Sequence, residues 1–126
     1  MIRVGMNGFG RIGRRVLRLA LEHPEIDVVA INDLADAHTL SHLLKYDSIH
    51  GVLQKDVGYD ANHINIDGRS IPLSNAKHPS EIPWKQYQVD VVVEATGKFK
   101  SREDLQHHIK NGAKQVILSV ELLISK

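Results

Sequence analysis

Apolar side chains follow two different spacings at the start of the chain. Residues 2–7 form a short, half-apolar run that is typical of a strand. Beyond it, apolar side chains recur at spacings of three and four residues, which places them on one face of a helix. They are Ile12, Val16, Leu17, Ala20 and Leu21. Pro24 should end that helix, and the apolar run Ile26–Ile31 predicts a second strand.

The next segment predicts a helix and then a local antiparallel element. The helix runs over about 36–45, and three leucines should face inward. They are Leu40, Leu43 and Leu44. Asp67-Gly68 is a hairpin turn signal between the alternating runs 63–66 and 69–73. The stretch 74–88 that follows is loop-rich and holds the only tryptophan, Trp84.

The last part of the pattern predicts strand, helix and strand again. Val89–Glu94 is an almost continuous apolar run, as expected of a parallel strand that is buried on both faces. Ser101 begins a capping-box sequence that should open a helix, and Gly112 lies where this helix should stop. Gln115–Ser119 is the last clear strand.

Together these elements predict an α/β fold with a doubly wound, mainly parallel sheet and a small antiparallel hairpin insertion. The connection between the first strand and the first helix carries a Gly-x-Gly-x-x-Gly series at Gly8, Gly10 and Gly13. Gly8 permits a tight turn, Gly10 lets the backbone approach a pyrophosphate, and Gly13 lets the helix and strand pack closely. The helix N-terminus adds a partial positive charge. The series therefore indicates the phosphate loop of a Rossmann-type fold.

Asp33 lies twenty residues after Gly13, at the end of the second predicted strand. A carboxylate there can accept hydrogen bonds from the adenosine ribose of a dinucleotide. It would meet the 2′-phosphate of NADP as a like charge, at a cost of about 1–4 kcal/mol. Because neither Asp33 nor Leu34 is an arginine, the sequence favours NAD over NADP. The alternative interpretation of Asp33 is a helix N-cap or a turn residue.

Composition excludes several other classes of protein. The 126 residues suffice for one domain with a core and are too few for two ordinary ones. The net charge of +1 offers no bulk attraction to nucleic acid or membrane. No apolar run approaches the roughly 20 residues of a membrane span. The first strand begins at the N-terminus, so we expect no signal peptide and a cytoplasmic protein.

Cysteine is absent from the chain, which excludes disulfides, thiolate metal sites and thiol nucleophiles together. The eight histidines therefore have no thiol partner. His38 and His42 are four residues apart on a predicted helix, but no third ligand is evident, and a solvated helix face is the better interpretation. His107 and His108 lie near a helix end, where they should favour the helix dipole at low pH and do little more. We expect no metal site.

Several segments, in the same order along the chain, resemble one dehydrogenase family. They are Asn7–Arg14, Val29–Asp33, Lys45–Gly51, Pro79-Ser80 with Trp84, Val92–Phe99 and Gly112–Lys114. From residue 1 to about 119, the chain resembles the N-terminal, NAD-binding part of the phosphorylating glyceraldehyde-3-phosphate dehydrogenases. The resemblance implies NAD as the cofactor. It also implies that the whole enzyme oxidises an aldehyde phosphate in glycolysis or gluconeogenesis, with hydride transfer to NAD.

The resemblance implies cofactor contacts at matching positions. Arg11 and Ile12 would present backbone N–H groups to the pyrophosphate, and Asn7 would lie near the nicotinamide end. Asp33 would bind the adenosine ribose. Lys77 falls where the family often carries an arginine near the adenine, and lysine keeps the charge but loses the planar stacking face.

The same resemblance implies a second wall for the groove. Thr96, Gly97 and Phe99 would form this wall, and Ser119 would reach the nicotinamide side. The position of Thr96 and Gly97 after a strand end suits open α/β sheets, which bind ligands just outside the carboxyl ends of their strands. The alternatives are a simple turn role for Thr96 and a strand-end hydroxyl for Ser119.

The chain departs from the family's pattern after Ser119, where the family continues with a small residue and a proline. We expect residues 1–119 to be a dinucleotide-binding domain that is incomplete at its C-terminal end, and 120–126 to be a divergent tail. The catalytic domain would be absent. The family's acyl transfer needs an activated cysteine with a histidine base, so no catalytic residue is predicted here. The chain alone should bind NAD weakly, if at all, and be inactive.

Other functions remain open. An erythrose-4-phosphate dehydrogenase of the same superfamily would share this cofactor domain, because the residues that contact the substrate lie elsewhere. A stand-alone, non-catalytic nucleotide-binding module would need only the cleft. Nucleic-acid binding lacks a basic stripe to support it. The family forms tetramers, so the resemblance implies a homo-oligomer that binds its small-molecule substrate only as the full-length enzyme.

Overall fold

The computed structural model describes residues 1–47 and 51–119. The expected divergent tail at 120–126 lies outside the described residues, as does the middle of the Lys45–Gly51 segment. The elements follow in the order β1 (Ile2–Asn7), α1 (Arg11–Ala20), β2 (Ile26–Asn32), α2 (Ala37–Lys45), β3 (Tyr46–Asp47), β4 (Gly51–Val52), β5 (Val57–Asp60), β6 (His63–Ile66), β7 (Arg69–Ser74), β8 (Val91–Glu94), α3 (Arg102–Lys110) and β9 (Gln115–Leu118). Two short 3-10 turns, Pro79–Glu81 and Trp84–Tyr87, precede β8.

The main sheet has seven strands in the order β5-β6-β7-β2-β1-β8-β9. Strands β7, β2, β1, β8 and β9 run parallel, whereas β5, β6 and β7 pair antiparallel. The turn at Asp67-Gly68 has φ of 50° and 80°, the left-handed backbone that a tight hairpin requires. The predicted α/β fold of Rossmann type with an antiparallel hairpin is therefore confirmed.

The antiparallel part is larger than the sequence indicated. Strand β5 adds to the predicted hairpin on one side, because Val57–Asp60 pairs with His63–Ile66. On the other side, β7 pairs with β2 through Leu73 and Ser74, so the insertion continues the parallel sheet. A separate two-stranded ribbon joins β3 and β4.

The inward face of α2 differs from the prediction at one position. Leu40 and Leu44 are buried as expected, but Leu43 is 38% exposed. The buried positions of the helix are Ala37, Leu40, Ser41 and Leu44. They follow the spacing i, i+3, i+4, i+7 of one helical face, and Leu43 lies beside that face rather than on it. The prediction for Leu43 was wrong because it counted leucines and not the phase of the helix.

The core lies on both faces of the sheet. One cluster packs α1, α2 and the hairpin strands against the sheet and includes Met6, Leu17, Leu44 and Ile64. A second cluster on the other face includes Trp84, Ile82, Val92 and Ala113. Trp84 packs directly on the backbone of β1, since a Cβ added at Gly5 would lie 2.6 Å from the indole ring. The sheet is thus covered on both faces, which leaves the ends of its strands as the place where a site can form.

Candidate functional site

The three glycines of the phosphate loop differ in whether, and why, the fold requires glycine at that position. Gly8 has φ of +97°, and a Cβ there would lie 2.9 Å from backbone atoms of Ala95 and Thr96. A Cβ on Gly13 would lie 2.5 Å from the carbonyl oxygen of Gly8. A Cβ on Gly10, by contrast, would meet nothing within 4 Å. The fold therefore requires glycine at positions 8 and 13, whereas glycine at position 10 leaves open space.

Helix α1 begins differently from the other two helices. The side chain of Asp36 accepts a hydrogen bond from Thr39 N at the start of α2, and Ser101 Oγ accepts one from Asp104 N at the start of α3. Helix α1 has Gly10 as its N-cap residue and no side-chain cap. The partial positive charge of its N-terminus is therefore directed at the loop without a capping side chain of its own.

Asp33 connects the end of β2 to the phosphate loop. Its Oδ2 accepts a hydrogen bond from Phe9 N at 2.7 Å, and its Oδ1 accepts one from Ala35 N at 2.9 Å. The second bond is the turn role that the sequence offered as an alternative. The helix-cap role belongs to Asp36 instead. Each carboxylate oxygen keeps further acceptor capacity, so the turn and a ligand contact are compatible.

A cleft of about 260 Å³ opens at the carboxyl ends of β1, β2 and β8. Its lining residues are Asn7, Gly8, Gly10, Asn32, Asp33, Leu34, Ala76, Lys77, Ala95, Thr96, Lys98 and Phe99. Seven of the residues named from the sequence are among them: Asn7, Gly8, Gly10, Asp33, Lys77, Thr96 and Phe99. The structure thus brings the loop, the end of β2 and the segment after β8 around one space.

The other residues named from the sequence lie next to this cleft rather than in its lining. Arg11, Ile12 and Gly13 form the first turn of α1, where Gly13 is buried. Gly97 has φ of +75° in the turn that follows Thr96. Ser119 follows β9, and its amide N–H donates to the Glu94 carbonyl at 2.9 Å. Lys77 and Lys98 are exposed at the cleft and give it positive charge.

The floor of the cleft is built from buried polar side chains, of which the sequence had indicated only Asn7. Asn7 is 2% exposed, and its Nδ2 donates to Glu94 Oε1 at 2.7 Å. Glu94 Oε2 accepts from Thr96 N at 3.1 Å and from Thr96 Oγ1 at 2.7 Å. His108 Nε2 lies 2.7 Å from Glu94 Oε1. The carboxylate therefore has four hydrogen-bond partners.

Opposing effects set the pKa of Glu94. Burial raises its pKa, but hydrogen bonds from His108, Thr96 and Asn7 favour the charged form and outweigh burial. The pKa of Glu94 therefore lies below its ordinary value of 4.5. The residue is fully buried and charged at neutral pH.

The expectation for the two adjacent histidines of α3 was wrong for His108. His108 is fully buried, and its Nδ1 accepts a hydrogen bond from Trp84 Nε1 at 2.8 Å. His107 packs edge-on against the His78 ring, with a centroid distance of 5.0 Å. A local pattern could not reveal these partners, since they come from other parts of the chain. The signal that was available is a carboxylate, Glu94, at the end of a run of valines.

Other kinds of site find little support in the described residues. Within residues 1–47 and 51–119, no three His, Asp or Glu side chains are arranged to hold a metal ion. His38 stacks on Tyr59 with ring centroids 4.8 Å apart, and His42 packs on Tyr46 at 4.9 Å. No helix in that part of the chain is long and apolar enough to cross a membrane.

The fold and the cleft define a Rossmann-type dinucleotide-binding domain. The family model described as "Glyceraldehyde 3-phosphate dehydrogenase, NAD binding domain" matches residues 2–102. The chain therefore belongs to the glyceraldehyde-3-phosphate dehydrogenase family, whose NAD-binding domain it carries.

Curated relatives from several bacteria agree with this assignment. The chain is 51% identical over 118 residues to glyceraldehyde-3-phosphate dehydrogenase of Geobacillus stearothermophilus. The aligned region covers 94% of the chain and 35% of that enzyme. It is 50% identical over 121 residues to the Thermotoga maritima enzyme, covering 94% of the chain and 36% of the enzyme. Glyceraldehyde-3-phosphate dehydrogenase 1 of Bacillus subtilis is 49% identical over 118 residues, again 94% of the chain and 35% of the relative. The chain thus spans about a third of the length of these relatives.

Proposed function

We propose that this chain supplies the NAD site of a phosphorylating glyceraldehyde-3-phosphate dehydrogenase. In the proposed reaction, bound NAD accepts a hydride from an aldehyde phosphate. The observation that carries the proposal is the open space at Gly10, in a cleft at the carboxyl ends of three parallel strands. A methyl group would fit there without touching the protein, so packing within the chain gives no reason for glycine. Close approach of the loop backbone to the pyrophosphate of a bound dinucleotide does give a reason for glycine.

Each group around the cleft has a proposed part in holding the dinucleotide. The backbone N–H groups of Arg11 and Ile12 would face the pyrophosphate at the start of α1. Asp33 would accept from the ribose hydroxyls, with its carboxylate already held by Phe9 N. Lys77 would lie near the adenine. Its terminal ammonium supplies charge but no stacking surface.

The opposite wall would be formed by Thr96, Gly97 and Phe99, with Ser119 toward the nicotinamide. The side chain of Asn7 donates to Glu94, so we propose that its part near the nicotinamide is to shape the floor. Residues 1–119 would be the dinucleotide-binding domain. Because the chain contains no cysteine, residues 1–126 alone would complete no acyl transfer. A homotetramer, as the resemblance implies, and a cytoplasmic location belong to the same proposal.

Calorimetric titration with NAD and with NADP tests the proposal, after circular dichroism has confirmed that the chain is folded. We expect weak but saturable NAD binding by the chain alone, and still weaker NADP binding. In Asp33→Asn, loss of the charge should reduce the NAD preference by about tenfold, since repulsion of the 2′-phosphate is worth about 1–4 kcal/mol.

Asp36→Asn is the matched control for this experiment. It removes the same charge three residues away, and asparagine caps a helix as well as aspartate does. Its ratio of NAD to NADP affinity should equal that of the wild type. Absence of NAD binding by the folded wild-type chain would overturn the proposal that residues 1–126 suffice to form the site. An equal change of the ratio in both variants would overturn the role of Asp33.

A further inference from the structure

A continuous chain of hydrogen bonds runs beneath the cleft, and its direction is fixed from both ends. At one end, the Trp84 indole can only donate, so His108 Nδ1 must accept. The proton of the imidazole is then on Nε2, which donates to Glu94 Oε1. His108 therefore reaches Glu94 as a neutral donor, and protonation of its other nitrogen would remove the bond from Trp84.

The other end of the chain is fixed by the backbone of Ala76. Its N–H donates to Asn32 Oδ1 at 2.8 Å, and its carbonyl oxygen accepts from Asn32 Nδ2 at 3.0 Å. The orientation of the Asn32 amide is thereby determined, and its Nδ2 also donates to Asn7 Oδ1 at 3.0 Å. Asn7 must then present its own Nδ2 to Glu94.

Four donors therefore converge on Glu94, two at each carboxylate oxygen. Oε1 accepts from Asn7 and His108, and Oε2 accepts from the N–H and the hydroxyl of Thr96. Only an ionised carboxylate has an acceptor for each of them. A glutamine of the same shape would turn an NH₂ group toward one pair of donors. Neither Trp84 nor Ala76 can reverse its polarity to relieve that conflict.

We propose that Glu94 is a positioning residue of the cofactor cleft, which holds the side chains of Asn7 and Thr96 in place through its charge, and that His108 orients Glu94 in turn. This inference rests on the proposed function, because Asn7 and Thr96 line the cleft. Glu94 and His108 belong to the buried floor beneath the cleft, and neither side chain is exposed in its lining. Their effect on a ligand would be transmitted through the residues that they hold.

The cost of the arrangement argues for a role beyond packing. A buried carboxylate needs several good hydrogen bonds to offset its lost hydration, and an apolar group of similar volume is often as stable or more so. The position lies in a strand whose neighbours Val92 and Val93 are apolar and buried. What the charge adds at this point is a fixed orientation for two polar residues at the cleft.

The test compares NAD binding by the wild-type 126-residue chain and by Glu94→Gln, at a temperature where both are folded by circular dichroism. We expect the dissociation constant of Glu94→Gln to rise about tenfold or more, by analogy with metal sites that lose a residue orienting a ligand. ¹⁵N NMR of the Asn7 side-chain amide is the second readout. We expect its resonance to shift, because its acceptor changes from a carboxylate to an amide.

Ile64→Val is the stability control. Ile64 is fully buried in the hairpin strand β6 and takes no part in the hydrogen-bond chain. This variant should be less stable than the wild type and bind NAD with unchanged affinity. If Glu94→Gln binds NAD like the wild type, or if Ile64→Val loses as much affinity, the positioning role is overturned.

Two further outcomes remain decisive. If the wild-type chain binds no NAD, the proposal that residues 1–126 suffice to form the NAD site fails, and the Asn7 resonance alone then decides whether Glu94 orients Asn7. If Glu94→Gln does not fold, the double variant Trp84→Phe/His108→Leu replaces it, since removing both partners of a buried hydrogen bond is better tolerated than removing one. That variant takes one donor from Glu94, and NAD should bind about threefold or more weaker. Unchanged affinity would overturn the inference.

Discussion

The two ends of the parallel strands are built from opposite kinds of side chain. At the carboxyl ends, Asn7, Asn32 and Glu94 are buried polar residues that bond to one another or to their neighbours. At the amino ends, a cavity of about 150 Å³ is lined mostly by apolar side chains, including Leu17, Ala20 and Ile26. An ion pair between Arg69 and Asp27 lies at the edge of that cavity.

The comparison shows that the two voids offer different chemistry to a ligand. Parallel strands connected by helices place the helix N-termini at the carboxyl ends of the strands, where the partial charge is positive. Helix α1 begins beside the cleft and ends at Ala20 beside the amino-end cavity. The cleft therefore offers donors and charge to an anionic ligand, while the cavity offers mainly hydrocarbon.

The largest expected effect of a single change lies at the amino end, and it is on stability alone. Leu17 is 1% exposed and lines the cavity. Leu17→Ala should lower the free energy of unfolding by about 2–5 kcal/mol, measured by urea denaturation. NAD affinity of the folded variant should be unchanged, because Leu17 contributes nothing to the cleft lining.

Leu19→Ala is the matched control on the same helix. Leu19 is 51% exposed, so its loss should change the free energy of unfolding by no more than about 0.5 kcal/mol. A folded Leu17→Ala variant with weakened NAD binding would show that the two ends are coupled, contrary to the distinction drawn between them.

The next largest expected effect is at the carboxyl ends of the strands, and it is on NAD affinity alone. Gly10→Ala adds a methyl group that meets no protein atom within 4 Å, so the free energy of unfolding should change by less than about 1 kcal/mol. In the proposed complex the same methyl group would lie between the loop and the pyrophosphate. Calorimetry should show NAD affinity reduced by about tenfold or more.

Gly58→Ala makes the same addition at a site away from the cleft. A Cβ on Gly58 also meets nothing within 4 Å, and the residue lies in β5 of the antiparallel part. It should bind NAD like the wild type. Equal binding by Gly10→Ala would mean that the open space at position 10 is not needed by the ligand.

The sequence predicted what depends on local patterns and missed what depends on contacts between distant segments. The glycine loop, the Asp67-Gly68 turn and the helix start at Ser101 each follow from a few neighbouring residues. The floor of the cleft does not. Glu94 meets Asn7 across 87 positions of sequence and His108 across 14, and neither spacing is a motif.

The same reasoning explains the two predictions that failed. Leu43 is apolar but lies beside the buried face of α2, which only the three-dimensional packing of that helix identifies. His108 is close to a helix end in sequence, yet its partners Trp84 and Glu94 belong to other elements. In both cases the residue type was known and the neighbour was not.

Acid should produce the smallest effect, and it should distinguish a buried carboxylate at the carboxyl end from an exposed one. The pKa of Glu94 is lower in the folded chain than its ordinary value of 4.5, so the unfolded chain binds more protons in this range. The stability that Glu94 contributes is therefore complete above pH 4.5. It is lost as the pH falls through the folded-state pKa. Urea denaturation at a series of pH values should show this fall flattened in Glu94→Gln.

Asp60→Asn is the control for that measurement. Bonds from Asn62 N and from His63 lower the pKa of Asp60 as well, but the residue is exposed in the hairpin, where solvent screens such interactions. Its pH dependence should stay close to that of the wild type. If Asp60→Asn flattens the acid response as much as Glu94→Gln does, the buried carboxylate has no special share in it. The buried carboxylate of the floor would then contribute no more to the pH dependence of the free energy of unfolding than an exposed one does.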